Sequence, residues 1–214
     1  MNESSRNKKV TITGIILTVI ITIGFTWAIY RLVGLSEDKT PFTPAKMRAH
    51  EVRAFAGLKM MAEAQEKYIQ TDWDGDGKRV YAMFFVHLWT SVSPESEPIP
   101  VNLIPRKEAF AMEDTLMVNG YYYIDLRKRR LEGNTLRELD YEKEWAMAVV
   151  PGALGRTGIL SFIVDQRNVI YVTPRMRNKT EYPYEPDAGG WKRIDTVKEL
   201  KEFQKSVNYP VNEK

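Results

Sequence analysis

The chain has 214 residues, 43% of them hydrophobic, with 31 basic side chains against 28 acidic ones and no cysteine. That length holds one domain of ordinary size with its own core, plus a flanking segment. The lack of cysteine excludes disulfides, thiol catalysis and thiolate or iron–sulfur metal centres.

The first 35 residues carry Arg6, Lys8, Lys9 and Arg31 against Glu3, a balance of +3 that equals the net charge of the whole chain. The remainder is formally neutral, so no nucleic-acid partner is expected. Between these charges runs "VTITGIILTVIITIGFTWAIY", Val10 to Tyr30, 21 residues without a charge. As a helix it would span about 30 Å, the thickness of a bilayer core. Trp27 and Tyr30 stand where an aromatic belt would form, and the preceding positive flank predicts a cytoplasmic N-terminus. The run is longer than a secretory h-region. "GFT" at Gly24 comes too late for a prepilin processing site. Residues 1–35 therefore read as an uncleaved single-pass anchor in a bacterial inner membrane, with 36–44 a linker and the rest periplasmic or extracytoplasmic. Gly14, Thr18, Thr22 and Thr26 form one ridge of small and hydroxyl side chains on which a partner helix could pack; bonding of the threonines to their own helix is the alternative.

Thr43-Pro44 is a helix start. Met47, Ala54, Phe55, Leu58, Met61, Ala62, Tyr68 and Ile69 recur at helical spacing, which predicts a helix of about 26 residues with one buried stripe. "DWDGDGK" ends it. "VYAMFFVHLW" spaces Tyr81, Phe84, Phe85, Leu88 and Trp89 as a short buried helix. Four prolines between 94 and 105 predict a loop, and 106–117 a further helix. "YYYIDL", "WAMAVV", "ILSFIVD" and "NVIYVT" then read as an antiparallel meander whose last two strands form a hairpin. Thr196 with Glu199 is a capping box that opens a short terminal helix within 196–214. Helices first and strands afterwards define an α+β class.

"AEAQEKY", the acidic turn, "GYYYIDL", "AMAVVPGALGRTGILSFIVDQRNVIY" and "YEPDAGGWKRID" follow one another in an order that resembles a group of bacterial exported proteins filed as a domain of unknown function, similar in plan to type IV pilins and type II pseudopilins. The resemblance covers about residues 45–195. It implies a long helix packed on a small antiparallel sheet, and it implies no enzymatic activity.

Residue by residue, catalytic chemistry finds little to start from. His50 and His87 lie 37 positions apart, one on the charged face of the first helix and one in an aromatic run, and neither has a visible partner for acid–base work. Ser161 lies in a strand rather than a nucleophile elbow. "GALGRTG" joins two strands and lacks a phosphate-binding lysine. "RKRR", Arg127 to Arg130, reads as a solvated basic turn, with anionic lipid or an acidic partner as the functional alternative.

The acidic turn is the one metal candidate. Asp72, Asp74 and Asp76 match calcium-loop positions one, three and five, Gly77 the sharp turn at six, and the Lys78 carbonyl position seven. Position twelve, a bidentate glutamate in a full loop, is Met83. The pattern points to a weak structural calcium site, with an acidic glycine-rich turn as the bland alternative. The expected function is a non-enzymatic, membrane-anchored accessory or structural subunit of a membrane or envelope complex, whose partners are other envelope subunits and the bilayer. A pseudopilin-like component of a secretion or pilus machine is the alternative, and a hydrolase built on the three aspartates ranks third.

Overall fold

The computed structural model of the chain describes residues 43–111, 116–174 and 181–210. The chain divides after Pro41, and the described residues belong to its second unit, Phe42–Lys214. Helix α1, Pro44–Tyr68, opens with the Thr43 hydroxyl accepting from the Lys46 N–H at 3.3 Å and with proline at its first position. Its buried stripe runs from Met47 through Phe55, Leu58 and Met61 to Tyr68, and includes the polar His50, Glu51 and Gln65. Strands β1 (Thr90–Val92) and β2 (Pro98–Pro100) pair as a hairpin, and the one-turn α2 covers Arg106–Ala109.

The centre of the domain is a five-stranded antiparallel sheet. It comprises β3 (Tyr121–Asp125), β6 (Ala146–Pro151), β7 (Ser161–Asp165), β8 (Tyr171–Thr173) and β10 (Lys192–Arg193), in the order β10-β8-β7-β6-β3. Every residue of β6, β7 and β8 is buried. Alternation along the strands divides these side chains between two cores. Tyr121, Tyr123, Met147, Val149, Phe162 and Val164 join the α1 stripe, while Ala146, Ala148, Ile163 and Tyr171 join Leu126, Leu139, Tyr182 and Trp191. A strand covered on both faces needs a continuous apolar run, which is what "AMAVV" and "SFIV" supply. A three-stranded sheet, β5 (Leu136–Glu138), β4 (Lys128–Arg130) and β9 (Glu181–Tyr182), contributes to the second core, with β9 parallel to β4. Helix α3, Val197–Lys205, carries the capping box formed by Thr196 and Glu199.

The expected architecture needs correction on several counts. Among the described residues no helix is long and apolar enough to cross a membrane. Charged residues such as Arg53, Lys59, Glu63 and Lys67 recur along α1, so it has no uncharged run of spanning length. The transmembrane, single-pass and inner-membrane assignments therefore find no supporting helix among the described residues. The segment from Val10 to Tyr30, with its ridge of Gly14, Thr18, Thr22 and Thr26, lies outside the described residues. The pilin-like plan of a long helix on one small meander gives way to an α+β domain with three sheets among the described residues, one of which holds a parallel pair. The short helix expected across Val80–Trp89 is a single 3-10 turn, Phe85–Leu88, after an extended Phe84. Residues 93–105 are not all loop, because Pro98 and Pro100 sit on the two-stranded hairpin. The helix expected over 106–117 stops at Ala109.

Gly57 decides how closely α1 approaches the sheet. A β-carbon there would overlap the hydroxyl of Tyr123, which is 2% exposed. Alanine normally strengthens a helix by about 1 kcal/mol over glycine. Here Gly57→Ala is expected to destabilise by about 1–3 kcal/mol through overpacking. Chemical denaturation checks the sign, and a stabilised variant would mean that the helix and Tyr123 are not in this contact.

Candidate functional site: the acidic loop and the groove beside it

The loop after α1 is shaped by its own carboxylates. Asp72 accepts from the N–H groups of Gly75 and Gly77, both at 2.9 Å. Asp74 accepts from the Asp76 N–H at 3.4 Å and Asp76 from the Lys78 N–H at 2.8 Å. Gly75 and Gly77 have φ of 74° and 85°, where a side chain would be strained. One carboxylate oxygen from each aspartate lies within 4.8 Å of the others. The alternate spacing thus brings Asp72, Asp74 and Asp76 to one side of a tight curl, as a hard cation requires. Met83, at the twelfth position, is 43% exposed and offers no oxygen from its side chain. The Lys78 ammonium reaches Glu142 at 3.6 Å.

Trp73, unremarked in the sequence pattern, pins this loop to the helix end. Its indole N–H donates to the Tyr68 carbonyl at 3.1 Å, and its ring stacks on Tyr68 with centroids 5.9 Å apart. That carbonyl, at the helix C-terminus, also accepts from the Thr71 N–H at 3.1 Å.

Beside the loop lies a groove of about 370 Å³. Tyr68, Tyr81, His87 and Tyr141 line it together with Asp74, Asp140 and Glu142. Burial holds His87 below the ordinary histidine value, with the charge of Asp74 opposing that shift. The Tyr81 N–H donates to the Tyr141 carbonyl at 2.8 Å, which ties the two segments of the groove together.

The other singled-out residues do not converge on this place. His50 is 8% exposed rather than on a solvated helix face, and burial, then Arg53 and Lys46, lower its pKa. Ser161 is 1% exposed within β7. The glycine-rich segment connects β6 to β7, with the Thr157 hydroxyl bonded to Ala153. The basic run is not a solvated turn: Arg127 precedes β4, and Lys128 to Arg130 form it. Arg129 donates to Glu144 at 3.0 Å and to Asp165 at 3.3 Å, and its guanidinium lies 4.6 Å from the Tyr182 ring centre. Arg130 pairs with Glu181. A run of four basic residues gives no local sign of this, because the pairing of β9 with β4 brings Glu181 to it, and Glu144 and Asp165 come from 15 and 36 positions along the chain.

Sequence reasoning also passed over a buried acid with four hydrogen-bond donors. Glu51, fully buried on α1, accepts from the Ile159 and Leu160 N–H groups at 3.0 and 3.2 Å and from the Gln204 amide at 2.6 Å. The Tyr209 hydroxyl is its fourth partner. Burial raises the pKa of Glu51, and these hydrogen bonds oppose the shift. An acid at a position of the apolar helical stripe was the available signal.

These features define an α+β domain with an exposed acidic loop at one helix end and buried ionic joints between its layers. The chain belongs to the family described as "Protein of unknown function (DUF2950)", whose model matches residues 39–194. No curated protein and no solved structure matches the chain.

Proposed function

We propose that this domain is a non-catalytic accessory module, a structural subunit that works within a larger protein assembly and is stabilised by calcium at its acidic loop. The supporting observation is the contrast between its buried and exposed acids. Glu51, Glu144, Asp165 and Glu181 are buried and hold elements together. Asp72, Asp74 and Asp76 instead converge at a loop with their oxygens within reach of one ion. Asp72, Asp74 and Asp76 would supply three carboxylate oxygens and Lys78 its carbonyl, while water would complete the shell, a donor set that suits weak calcium binding in the range of about 0.1–1 mM.

Calcium at roughly ten times its dissociation constant is expected to stabilise the folded chain by about 1–2 kcal/mol, visible as a rise of a few degrees in melting temperature. The triple variant Asp72→Asn, Asp74→Asn, Asp76→Asn should remain folded and lose that rise. Identical melting in millimolar calcium and in chelator would reduce the loop to a turn. The accessory role has its own test. Cross-linking in native extract, read by mass, should show a stoichiometric heteromeric species, and a free monomer as the sole form would overturn it.

A further inference from the structure

We propose that the outer edge of β1, with the groove beside it, docks an extended strand of a partner protein in which apolar residues alternate with basic ones. Hydrogen bonding in the β1–β2 hairpin leaves that edge open. The Ser93 N–H donates to the Glu97 carbonyl at 2.9 Å, and the Val101 N–H to the Trp89 carbonyl at 3.0 Å. Between those two pairs Ser91 stands opposite Ile99. Antiparallel alternation then turns the N–H and C=O groups of Thr90 and Val92 away from β2. Among the described residues no third strand and no other backbone segment bonds to them. The far edge of the hairpin is blunted, because Pro98 and Pro100, the partners of Val92 and Thr90, have no N–H. The Thr90–Val92 strand carries neither a proline nor a charge, the usual guards of a free edge.

The groove identifies the occupant. Ser91 and Val92 line it and no residue of β2 does, so it lies on the open side of β1. Val80, Met83, Val92 and Leu139 give it apolar surface, with Met83 43% and Val92 48% exposed. An incoming strand can set alternate side chains on that surface while its backbone bonds to Thr90 and Val92. A docked helix would leave those groups unpaired, because its own backbone bonds are internal. Asp74, Asp140 and Glu142 line the groove and no lysine or arginine does. The exposed Lys143 and Lys78 pair with Asp140 and Glu142, so Asp74 sets the sign and favours a basic strand over an acidic one. This surface rests on the accessory reading and gives the partner its form.

Titration of the full chain, in chelator so that calcium cannot mask Asp74, with a capped hexapeptide of alternating lysine and valine tests this. Saturable binding at millimolar concentration or tighter is expected, with amide hydrogen exchange slowed at Thr90 and Val92. The same peptide with glutamate in place of lysine should bind more weakly, and a fully N-methylated version should not bind. Val92→Pro removes an outward N–H that has no bond to lose within the hairpin, and should weaken binding about fivefold with melting little changed. Peptide binding can fail while the heteromeric species of the cross-linking test still forms, which separates this surface from the accessory reading. Three results would overturn the proposal: no binding by the lysine–valine peptide, equal binding of the N-methylated one, or binding that leaves exchange at Thr90 and Val92 unchanged. A dimer of the chain alone that protects those two amides would also overturn it, by giving the edge to a second copy.

Discussion

Glu51→Ala is expected to remove about 3–5 kcal/mol of stability, a large part of what holds a domain of this size folded. The carboxylate is the shared acceptor for two backbone N–H groups that lead into β7, for the Gln204 amide on α3 and for the Tyr209 hydroxyl beyond it. Each donor left buried without an acceptor costs about 1–3 kcal/mol, and truncation also opens space beneath α1. The surroundings have little room to adjust. The Tyr121 hydroxyl donates to the Leu160 carbonyl at 3.1 Å and fills the space where a side chain at Gly158 would be. Glu51→Gln keeps one acceptor oxygen for the backbone donors and should fall between the wild type and alanine. Tyr209→Phe removes a single donor and should cost about 1 kcal/mol. Urea unfolding of the three variants gives the order. An alanine variant within about 1 kcal/mol of wild type would show that this junction carries little of the stability.

Asp125→Asn is expected to stabilise the domain at pH 8 by roughly 2–4 kcal/mol and to change it little near pH 4. Burial pushes the Asp125 carboxyl up from 3.8 to about 7, against a hydrogen bond from the Phe85 backbone and the charge of Arg127. One of its oxygens is buried without a partner among the described residues. The sign follows from proton binding. Between about pH 4 and 7 the folded domain holds a proton that the unfolded chain releases, so wild-type stability falls as pH rises through that window. A neutral amide has no charge to bury, and the variant's profile should lose that decline. Melting temperatures of both proteins across pH 4 to 8 provide the check. Parallel curves would mean that Asp125 is ionised in the fold as readily as in the unfolded chain.

Elements governed by local chemistry were legible from the residues alone. Thr43-Pro44 and the Thr196–Glu199 box mark two helix starts because capping is a matter of neighbouring donors and acceptors. The four apolar runs from Tyr121 to Thr173 were legible as strands because β-branched and aromatic residues alternate within short, turn-bounded segments. The β7–β8 hairpin follows from the tight break at Gln166-Arg167-Asn168, where Asn168 takes φ of 57°. The acidic curl was also visible, since alternate aspartates before glycine impose their own turn.

Where helical spacing was read in Val80–Trp89, tertiary packing won instead. Ala82 is buried from an irregular stretch and Phe85 and Leu88 from the 3-10 turn, and the Ala82 backbone both donates to and accepts from the Gln65 side chain. Apolar residues three apart serve either conformation when the backbone finds its partners elsewhere. The anchor and its packing ridge rest on hydropathy outside the described residues, and among those described no helix is long and apolar enough to cross a membrane.

Residue patterns alone were enough for the α+β class, the principal strands, two helix caps and the convergence of three aspartates, because each depends on residues within a few positions of one another. Three other features came from long-range packing: β6, β7 and β8 are covered on both faces, the basic run carries an interlayer ion pair, and Glu51 joins α1 to residues 108, 109, 153 and 158 positions away. A charged side chain looks the same in sequence whether water or a buried donor satisfies it. Which one does so is set by chain segments that only the fold brings together.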